Sequence, residues 1–303
     1  MMLMDQIMRF GAAWPVPNSC QLPVSKDWSE TSVRYVLDEE VTAICDSLVC
    51  KHFDMLADML PLARVPASDF WIERLSFNEN NSGGRSRLGC RVIANEAGRA
   101  GEICLVAEVT GAVPIVLPQK VLFDFDGHQI ASDSAESFRL PLPPQLDAEE
   151  AKIAEVFAIA LHPGWSKYYD LAQHEGELAR QVKAQLSASV YDGLFVLAFS
   201  VLLSSQRSFR EVRVELDRLN RHRVNAGKQK LLDHVEVKAS IVHQPSPYQG
   251  ARQNSSAARA FPRMHLVRGH FVRKGSMLYW RRTHMRGASK GGGILSRTVH
   301  IKA

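Results

Sequence analysis

The last 67 residues of this 303-residue chain contain neither aspartate nor glutamate. Residues 237–303 hold 13 of the 37 lysines and arginines, which leaves 24 basic side chains and all 32 acidic ones to the preceding 236 residues. The first part of the chain is therefore acidic and the last part strongly basic, although the formal net charge is only +5. This separation favours a polyanionic partner for the basic part. Docking of the basic part on the acidic part of the same chain is the alternative.

Cysteine is scarce, and long apolar runs are missing. The five cysteines all precede residue 105 and none forms a CxxC pair, so neither a disulfide framework nor a zinc ribbon is expected. The longest apolar run, residues 193–203, has 11 residues, whereas a membrane span needs roughly 20, so it predicts a buried helix. The first ten residues lack the basic start and long apolar core of a signal peptide. We expect a soluble cytoplasmic protein with no membrane partner and no cofactor.

The remaining pattern predicts an α+β fold. Apolar residues recur at helical spacing over residues 37–60, and Pro61 ends that run. Four β-rich segments follow, which predict a mostly antiparallel sheet over residues 69–77, 88–94, 102–109 and 115–125. Further helices are predicted at residues 147–161, 175–204 and 209–221. The expected organisation is an α+β body over residues 1–240, a polar linker over 241–262 and a small basic β module over 263–303.

Three strands are predicted in the basic module, at residues 265–273, 277–282 and 294–301. Gly275 marks the first turn and residues 290–293 the second. Arginine binds phosphate with two parallel hydrogen bonds, and aromatic rings offer faces on which bases stack. The candidate phosphate- or nucleic-acid-binding residues are Arg268, Arg273, Lys274, Trp280, Arg281, Arg282 and Arg286.

Three histidines accompany these arginines and are the candidate catalytic residues: His265, His270 and His284. Histidine transfers protons near neutral pH, so two of them beside an arginine would suit metal-free cleavage of RNA. Alternation along a strand does not by itself place His265 and His270 on one face. A histidine-only zinc site would be unusual, and no metal ion is expected.

The same stretch resembles a family of uncharacterised proteins encoded by phages and prophages. The matching pattern is His-x-x-Arg-Gly-His-Phe, then Trp, then His-x-Arg-Gly, and it is carried by His265, Arg268, Gly269, His270, Phe271, Trp280, His284, Arg286 and Gly287. Residues 219–237 and, more faintly, 61–73 also resemble the corresponding parts of that family. Where the family often has proline before the third histidine, this chain has Thr283. The resemblance implies a phage gene product that acts in a bacterial cytoplasm or in a virion. It does not indicate which activity the protein has.

Two other motifs have competing interpretations. Residues 121–127, VLFDFDG, could present Asp124 and Asp126 as a haloacid-dehalogenase-like phosphatase does, or could be a strand that runs into an Asp-Gly turn. Residues 207–230 are rich in arginine and lysine, and could lie along a nucleic-acid backbone. Because Glu211, Glu215 and Asp217 are interleaved at helical spacing, the pattern favours a helix with internal ion pairs instead.

Three functions stay open at this point. The leading prediction is a protein that binds nucleic acid (RNA or DNA) or another phosphate-bearing partner through its basic C-terminal module. The first alternative is a metal-independent ribonuclease, and the second is a protein-interaction or assembly factor with no catalysis.

Overall fold

A computed structural model describes residues 2–10, 33–77, 85–109, 114–127, 137–138, 156–162, 177–205, 208–239, 265–267, 269–281 and 284–286 of the chain. The helices are α1 (Leu3–Phe10), α2 (Glu39–Lys51), α3 (Phe53–Met59), α4 (Glu177–Ser204) and α5 (Asp217–Asn225), with a 3-10 turn at Leu60–Leu62. The strands of the body are β1 (Val33–Leu37), β2 (Asp69–Phe77), β3 (Arg85–Ala94), β4 (Ala100–Val109), β5 (Ile115–Asp124), β6 (Ser137–Phe138), β7 (Phe157–Leu161), β8 (Phe209–Val214) and β9 (His234–Ala239).

The nine strands of the body form one mixed sheet in the order β6-β7-β5-β4-β3-β2-β1-β9-β8. Strands β2 to β5 make an antiparallel meander, which confirms the four strands of the predicted antiparallel sheet. Strand β1 pairs in parallel with both β2 and β9, so the chain leaves the sheet after β1 and β9 joins it much later. With helices packed on this sheet, the fold is α+β, as predicted.

Helices cover both faces of the sheet. The larger core lies between the sheet and α2, α3 and α4, and contains Phe70, Phe195 and Phe199, none of which is exposed. A smaller core on the other face joins Leu3 and Ile7 of α1 to residues that include Trp71. Neighbouring residues of β2 therefore point into different cores, as the two-residue period of a strand requires.

Helices α2 and α3 replace the single helix predicted over residues 37–60. They are separated at His52, whose backbone has φ −139°. Asp38 begins α2 because its Oδ1 accepts a hydrogen bond from the amide of Val41 at 2.7 Å, which is a typical N-cap. Helix α4 confirms the helix predicted over 175–204, and its residues 195–199 are buried as the apolar run indicated. Among the described residues, no helix has the length and apolarity to cross a membrane.

Two of the predicted helices are wrong in part. The end of the helix predicted over 147–161 is strand β7, whose five residues are all buried between β5 and β6; residues 147–155 lie outside the described residues. A short apolar run that is buried on both faces loses the alternation that identifies a strand.

The predicted helix over 209–221 is strand β8 followed by helix α5. In β8, Phe209 and Glu211 lie on one face and Val212 and Val214 on the other. The ion pairs predicted for residues 207–230 are wrong as well. Within the described residues 208–239, the ion pair is Lys238 with Glu236, and no arginine there pairs with a carboxylate. Glu211 lies in β8 and Glu215 follows that strand, so neither faces the basic residues as it would on one helix. Asp217 is the first residue of α5, and among the described residues it forms no ion pair.

Residues 121–127 form the end of β5 and a turn, as the second interpretation of that motif predicted. The amide of Gly127 donates to the carbonyl of Asp124, and Gly127 has φ +70°. Asp126 binds the guanidinium of Arg99, whose Nη1 donates to the carbonyl of Ala63 at 2.6 Å. Asp126 is thus used to hold the turn between β3 and β4 against the end of β5.

Candidate nucleic-acid interface

The described part of the basic region is a hairpin in two sections. Strand β10 (His265–Val267) pairs with β13 (His284–Arg286), and β11 (His270–Lys274) pairs with β12 (Met277–Arg281). Gly275, with φ +59°, lies in the turn of the inner section, as the sequence predicted. The third predicted strand, residues 294–301, and the predicted linker, residues 241–262, lie outside the described residues, so the proposed domain boundaries stay a prediction.

The strand predicted over 265–273 is interrupted at Gly269. A Cβ atom at Gly269 would lie 2.5 Å from a ring carbon of Trp280, so the indole occupies the space that a side chain would fill. The glycine of the His-x-x-Arg-Gly-His pattern therefore has a packing role, because it lets Trp280 approach the backbone.

One face of the inner hairpin packs on the body. Phe271 is opposite Trp280, with ring centroids 4.8 Å apart, and also meets the ring of His52 at 5.1 Å. Leu278 belongs to the larger core and is 1 % exposed. Arg273 forms an ion pair with Asp58 of α3. These contacts make the inner hairpin part of the body's packing.

A hydrogen bond adds to this attachment. The backbone amide of Trp280 donates to Oγ of Ser208, immediately before β8, at 3.2 Å. Two of the predicted binding residues, Arg273 and Trp280, are therefore engaged in holding the hairpin on the body.

The opposite face of the inner hairpin carries the other cations. Register places His270 opposite Arg281 and Lys274 opposite Met277, and opposed residues of an antiparallel pair share a face. Lys274 and Arg281 are exposed, and among the described residues neither has a carboxylate partner. His270 is half-buried and lies opposite Arg281, four residues before Lys274. We call His270, Lys274 and Arg281 the outer face of the hairpin.

The outer section of the hairpin holds the other two candidate histidines. Register places His265 opposite Arg286, and His284 opposite Val267. The side chains of His265, His284 and Arg286 lie outside the described residues, as do Arg268 and Arg282 altogether. The backbone does pair a histidine with an arginine in both sections of the hairpin.

The buried charges of the body form a contrasting set. Arg74 of β2 is 4 % exposed, and its guanidinium donates to Asp192 at 2.7 Å and to Asp46 at 3.3 Å. The hydroxyl of Tyr191 also donates to Asp46, at 2.7 Å, and the guanidinium carbon lies 3.9 Å from the ring centroid of Phe195. This cluster connects α2 and α4 to the sheet.

Burial changes the acid–base behaviour of this cluster. It raises the pKa of the Asp192 carboxyl above its ordinary value, and the guanidinium of Arg74 opposes that rise. Burial also raises the pKa of the Tyr191 hydroxyl, and the hydrogen bond to Asp46 adds to the rise. Both groups belong to α4, and their hydrogen bonds to Arg74 and Asp46 hold this helix on the sheet and on α2.

A second buried cluster lies under α1. Glu73 accepts hydrogen bonds from the amide of Leu3 at 2.8 Å to each carboxylate oxygen, so its charge lies at the positive end of the helix. Arg87 lies 3.7 Å from Glu73 and donates to Glu108 at 2.5 Å. Burial raises the pKa of Glu73, against the effect of these hydrogen bonds and of Arg87. This cluster fixes the N-terminal helix to the sheet.

The sequence patterns did not indicate that Asp58 and Ser208 hold the hairpin, because both contacts join residues far apart in the chain. They also assigned the cations of residues 218–230 to ion pairs that do not form. The sequence feature that indicates unpaired cations here is the segment 218–232, which contains five lysines or arginines and no acidic residue.

Comparison with known proteins gives no relative for this fold: no protein-family model matches the chain, and neither a curated protein nor a solved structure is similar to it.

Proposed function

We propose that this protein binds nucleic acid or another phosphate-bearing polyanion through the outer face of its C-terminal hairpin. The observation that carries the proposal is that His270 and Arg281 lie opposite each other on one face of the hairpin, which also carries the exposed Lys274 four residues further along β11. Hydrogen bonds between an arginine and a phosphate are strengthened by the charges of both partners.

The surroundings of this face support an anionic partner. Residues 237–303 carry 13 lysines and arginines and no carboxylate side chain, so this part of the sequence supplies no acidic residue to neutralise them. A repeated anion with closely spaced charges gains from many such contacts at once, because each one releases counterions. Nucleic acid fits this requirement better than a single small phosphate.

The test is a binding experiment on the full chain. Fluorescence anisotropy with labelled RNA and DNA should show weaker binding by Lys274→Gln/Arg281→Gln, by roughly ten- to thirtyfold, since the two charged contacts to phosphate contribute on the order of 1 kcal/mol each. The control is Lys51→Gln/Arg64→Gln, which removes the same charge at two exposed residues outside the hairpin. Equal affinity of both variants, or capture of an acidic protein with no nucleic-acid binding, contradicts the proposal.

A ribonuclease is the second candidate, and the two His–Arg pairings in the hairpin favour it. In such a reaction one histidine removes the proton of the ribose 2′-hydroxyl, the 2′-oxygen bonds to phosphorus, and the bond to the 5′-oxygen breaks as a second histidine protonates it. An arginine stabilises the added negative charge on the phosphoryl oxygens. The products are a cyclic phosphate and a free 5′-hydroxyl.

Cleavage of labelled RNA separates this candidate from binding alone. The ribonuclease predicts that the wild type cuts RNA without added metal and that His270→Ala removes the activity while RNA binding is largely kept. RNA that stays intact with the wild type, or is cut equally by His270→Ala, eliminates it.

We further propose, from the resemblance of the His-x-x-Arg-Gly-His-Phe region to phage and prophage proteins, that the protein acts in a bacterial cytoplasm. This setting would supply nucleic acid as the abundant polyanion. Fractionation of a bacterial culture that expresses the tagged full chain tests it, and recovery in the membrane fraction would contradict it.

A further inference from the structure

Helix α5 lies on the surface and has no buried residue. It joins β8 to β9, and β8 is an edge strand of the sheet. We call residues 216–233, which contain α5 and the loop that returns to β9, the α5 arm. A nine-residue helix is too short to be stable in water by itself, so something other than an apolar core must hold it.

Hydrogen bonds between the helix and the return loop supply that support. The side-chain amide of Asn220 donates to the carbonyl of Leu231 and its oxygen accepts from the amide of the same residue, both at 2.8 Å. Nε of Arg223 donates to the carbonyl of Gln229 at 2.9 Å. Asp233 accepts from the amide of Leu216 at 2.8 Å, which fixes the start of the arm. The arm is therefore built as a defined shape without a core.

One side of helix α5 carries positive charge. Asn220 and Arg223 face the return loop, so the opposite side of the helix carries Arg218, Arg221 and His222, all of them exposed. Arg218 and Arg221 are three positions apart, which puts them side by side on the helix at about 5–6 Å between Cβ atoms. Lys228 and Lys230 add exposed charge from the loop. Within the described residues, none of these five cations forms an ion pair with a carboxylate, although Asp217 lies four positions before Arg221 on the helix.

Strand β8 connects the arm to the hairpin. Ser208, which binds the amide of Trp280, precedes β8, and α5 begins three residues after that strand ends. The six residues of β8 span about 20 Å at the usual rise per residue of a strand. The arm and the hairpin are thus attached to opposite ends of one edge strand.

We propose that the α5 arm binds the phosphate backbone of duplex nucleic acid, as a contact separate from the hairpin. The arm contains no phenylalanine, tyrosine or tryptophan, so it has no ring on which an unpaired base could stack. Contacts to phosphate need only exposed cations on a surface that keeps its shape. The arm contributes affinity that does not depend on base sequence.

The chemistry of the arm argues against a lipid surface. A helix that lies in a membrane interface needs a continuous apolar face. The arm offers exposed Leu219 and Val224, which are 46 % and 49 % exposed, and they lie five positions apart on different sides of the helix. A duplex is the polyanion that such a polar, basic helix fits.

Three full-length variants with the same loss of charge test the inference. They are Arg218→Gln/Arg221→Gln in the arm, Lys274→Gln/Arg281→Gln in the hairpin and the control Lys51→Gln/Arg64→Gln. The probe is a labelled DNA duplex of roughly 20 base pairs, about two helical turns, titrated at several salt concentrations. Because the arm residues are exposed and have no side-chain partner among the described residues, thermal unfolding of the arm variant should match that of the wild type.

The expected result is a roughly tenfold weaker affinity for the arm variant and a salt slope that is smaller by about 2, since each lost phosphate contact lowers it by about 0.9. An arm variant whose affinity and slope equal those of the control overturns the inference. So does an arm variant that binds duplex normally but loses binding to phosphatidylserine vesicles.

The design also separates this inference from the function proposed for the hairpin. If the hairpin variant alone weakens binding, the arm inference is overturned and the proposed function stands. If the arm variant alone weakens binding, the inference is supported and the hairpin proposal is contradicted.

Discussion

Three arginines of strands β2 and β3 and two arginines of the α5 arm are used in opposite ways. Arg74, Arg87 and Arg91 have side chains between 4 % and 21 % exposed, and each lies beside at least one carboxylate. Arg218 and Arg221 are exposed and, within the described residues, have no carboxylate partner. The comparison teaches that the net charge of a region does not reveal what its charges do. In the sheet they hold elements together, whereas on the arm they are available to an external anion.

Removing Arg74 should have the largest effect. Arg74→Leu leaves the carboxylates of Asp46 and Asp192 in place without their cation, and breaking a buried ion pair from one side costs about 3–5 kcal/mol. Urea unfolding measures the loss of stability. The matched change on the arm, Arg221→Leu, should alter stability by no more than about 0.5 kcal/mol. If the two variants lose similar amounts of unfolding free energy, the proposed difference between Arg74 and Arg221 is contradicted.

Truncation of Phe271 tests whether the hairpin is part of the hydrophobic core of the body. Phe271 is 6 % exposed and packs against Trp280 and His52, so Phe271→Ala should cost about 3 kcal/mol in urea unfolding. Val272→Ala, on the outer side of the same strand, is the control and should cost clearly less. If Phe271→Ala leaves the unfolding midpoint unchanged, the hairpin does not contribute to the core.

Replacing either of the two glycines that pack against tryptophan rings should cause a smaller loss of stability. A Cβ at Gly89 would lie 2.1 Å from a ring carbon of Trp71, which is fully buried, so Gly89→Ala should cost about 1–3 kcal/mol. Gly269→Ala meets Trp280 at 2.5 Å, but that indole is only partly buried and has room to move. Thermal unfolding should therefore show the larger loss for Gly89→Ala, and the reverse order would contradict this packing.

The parts of the fold that were predicted correctly are those whose signals are local. Partial alternation identified β2, β-branched and aromatic residues identified β3 to β5, and the apolar run in residues 193–203 identified the buried half of α4. Strand β7 was missed because its burial on both faces removes alternation. Strand β8 was missed because Glu211 and Glu215 mimic a charged helix.

The candidate site was predicted less completely, because its contacts join distant residues. The sequence identified the basic hairpin and the turn at Gly275. It did not indicate that Arg273 forms an ion pair with Asp58, since this contact depends on how the hairpin lies on the body. It also did not indicate that Trp280 packs on Gly269. Without those pairings, paired and unpaired arginines look alike in the sequence.

Neutralising the outer face of the hairpin should have the smallest effect on stability. Lys274→Gln/Arg281→Gln removes two exposed cations, so thermal unfolding should change by no more than about 0.5 kcal/mol. A larger loss would mean that these cations hold the fold, as those of the sheet do.

The salt dependence of nucleic-acid binding by the full chain tests the central claim most directly. Anisotropy titrations at increasing salt are made with the wild type and with Lys274→Gln/Arg281→Gln. Binding through phosphate contacts predicts an affinity for the wild type that falls steeply with salt, and a slope smaller by about 2 in the variant. A wild type that binds neither RNA nor DNA, or whose binding is independent of salt, would contradict the account.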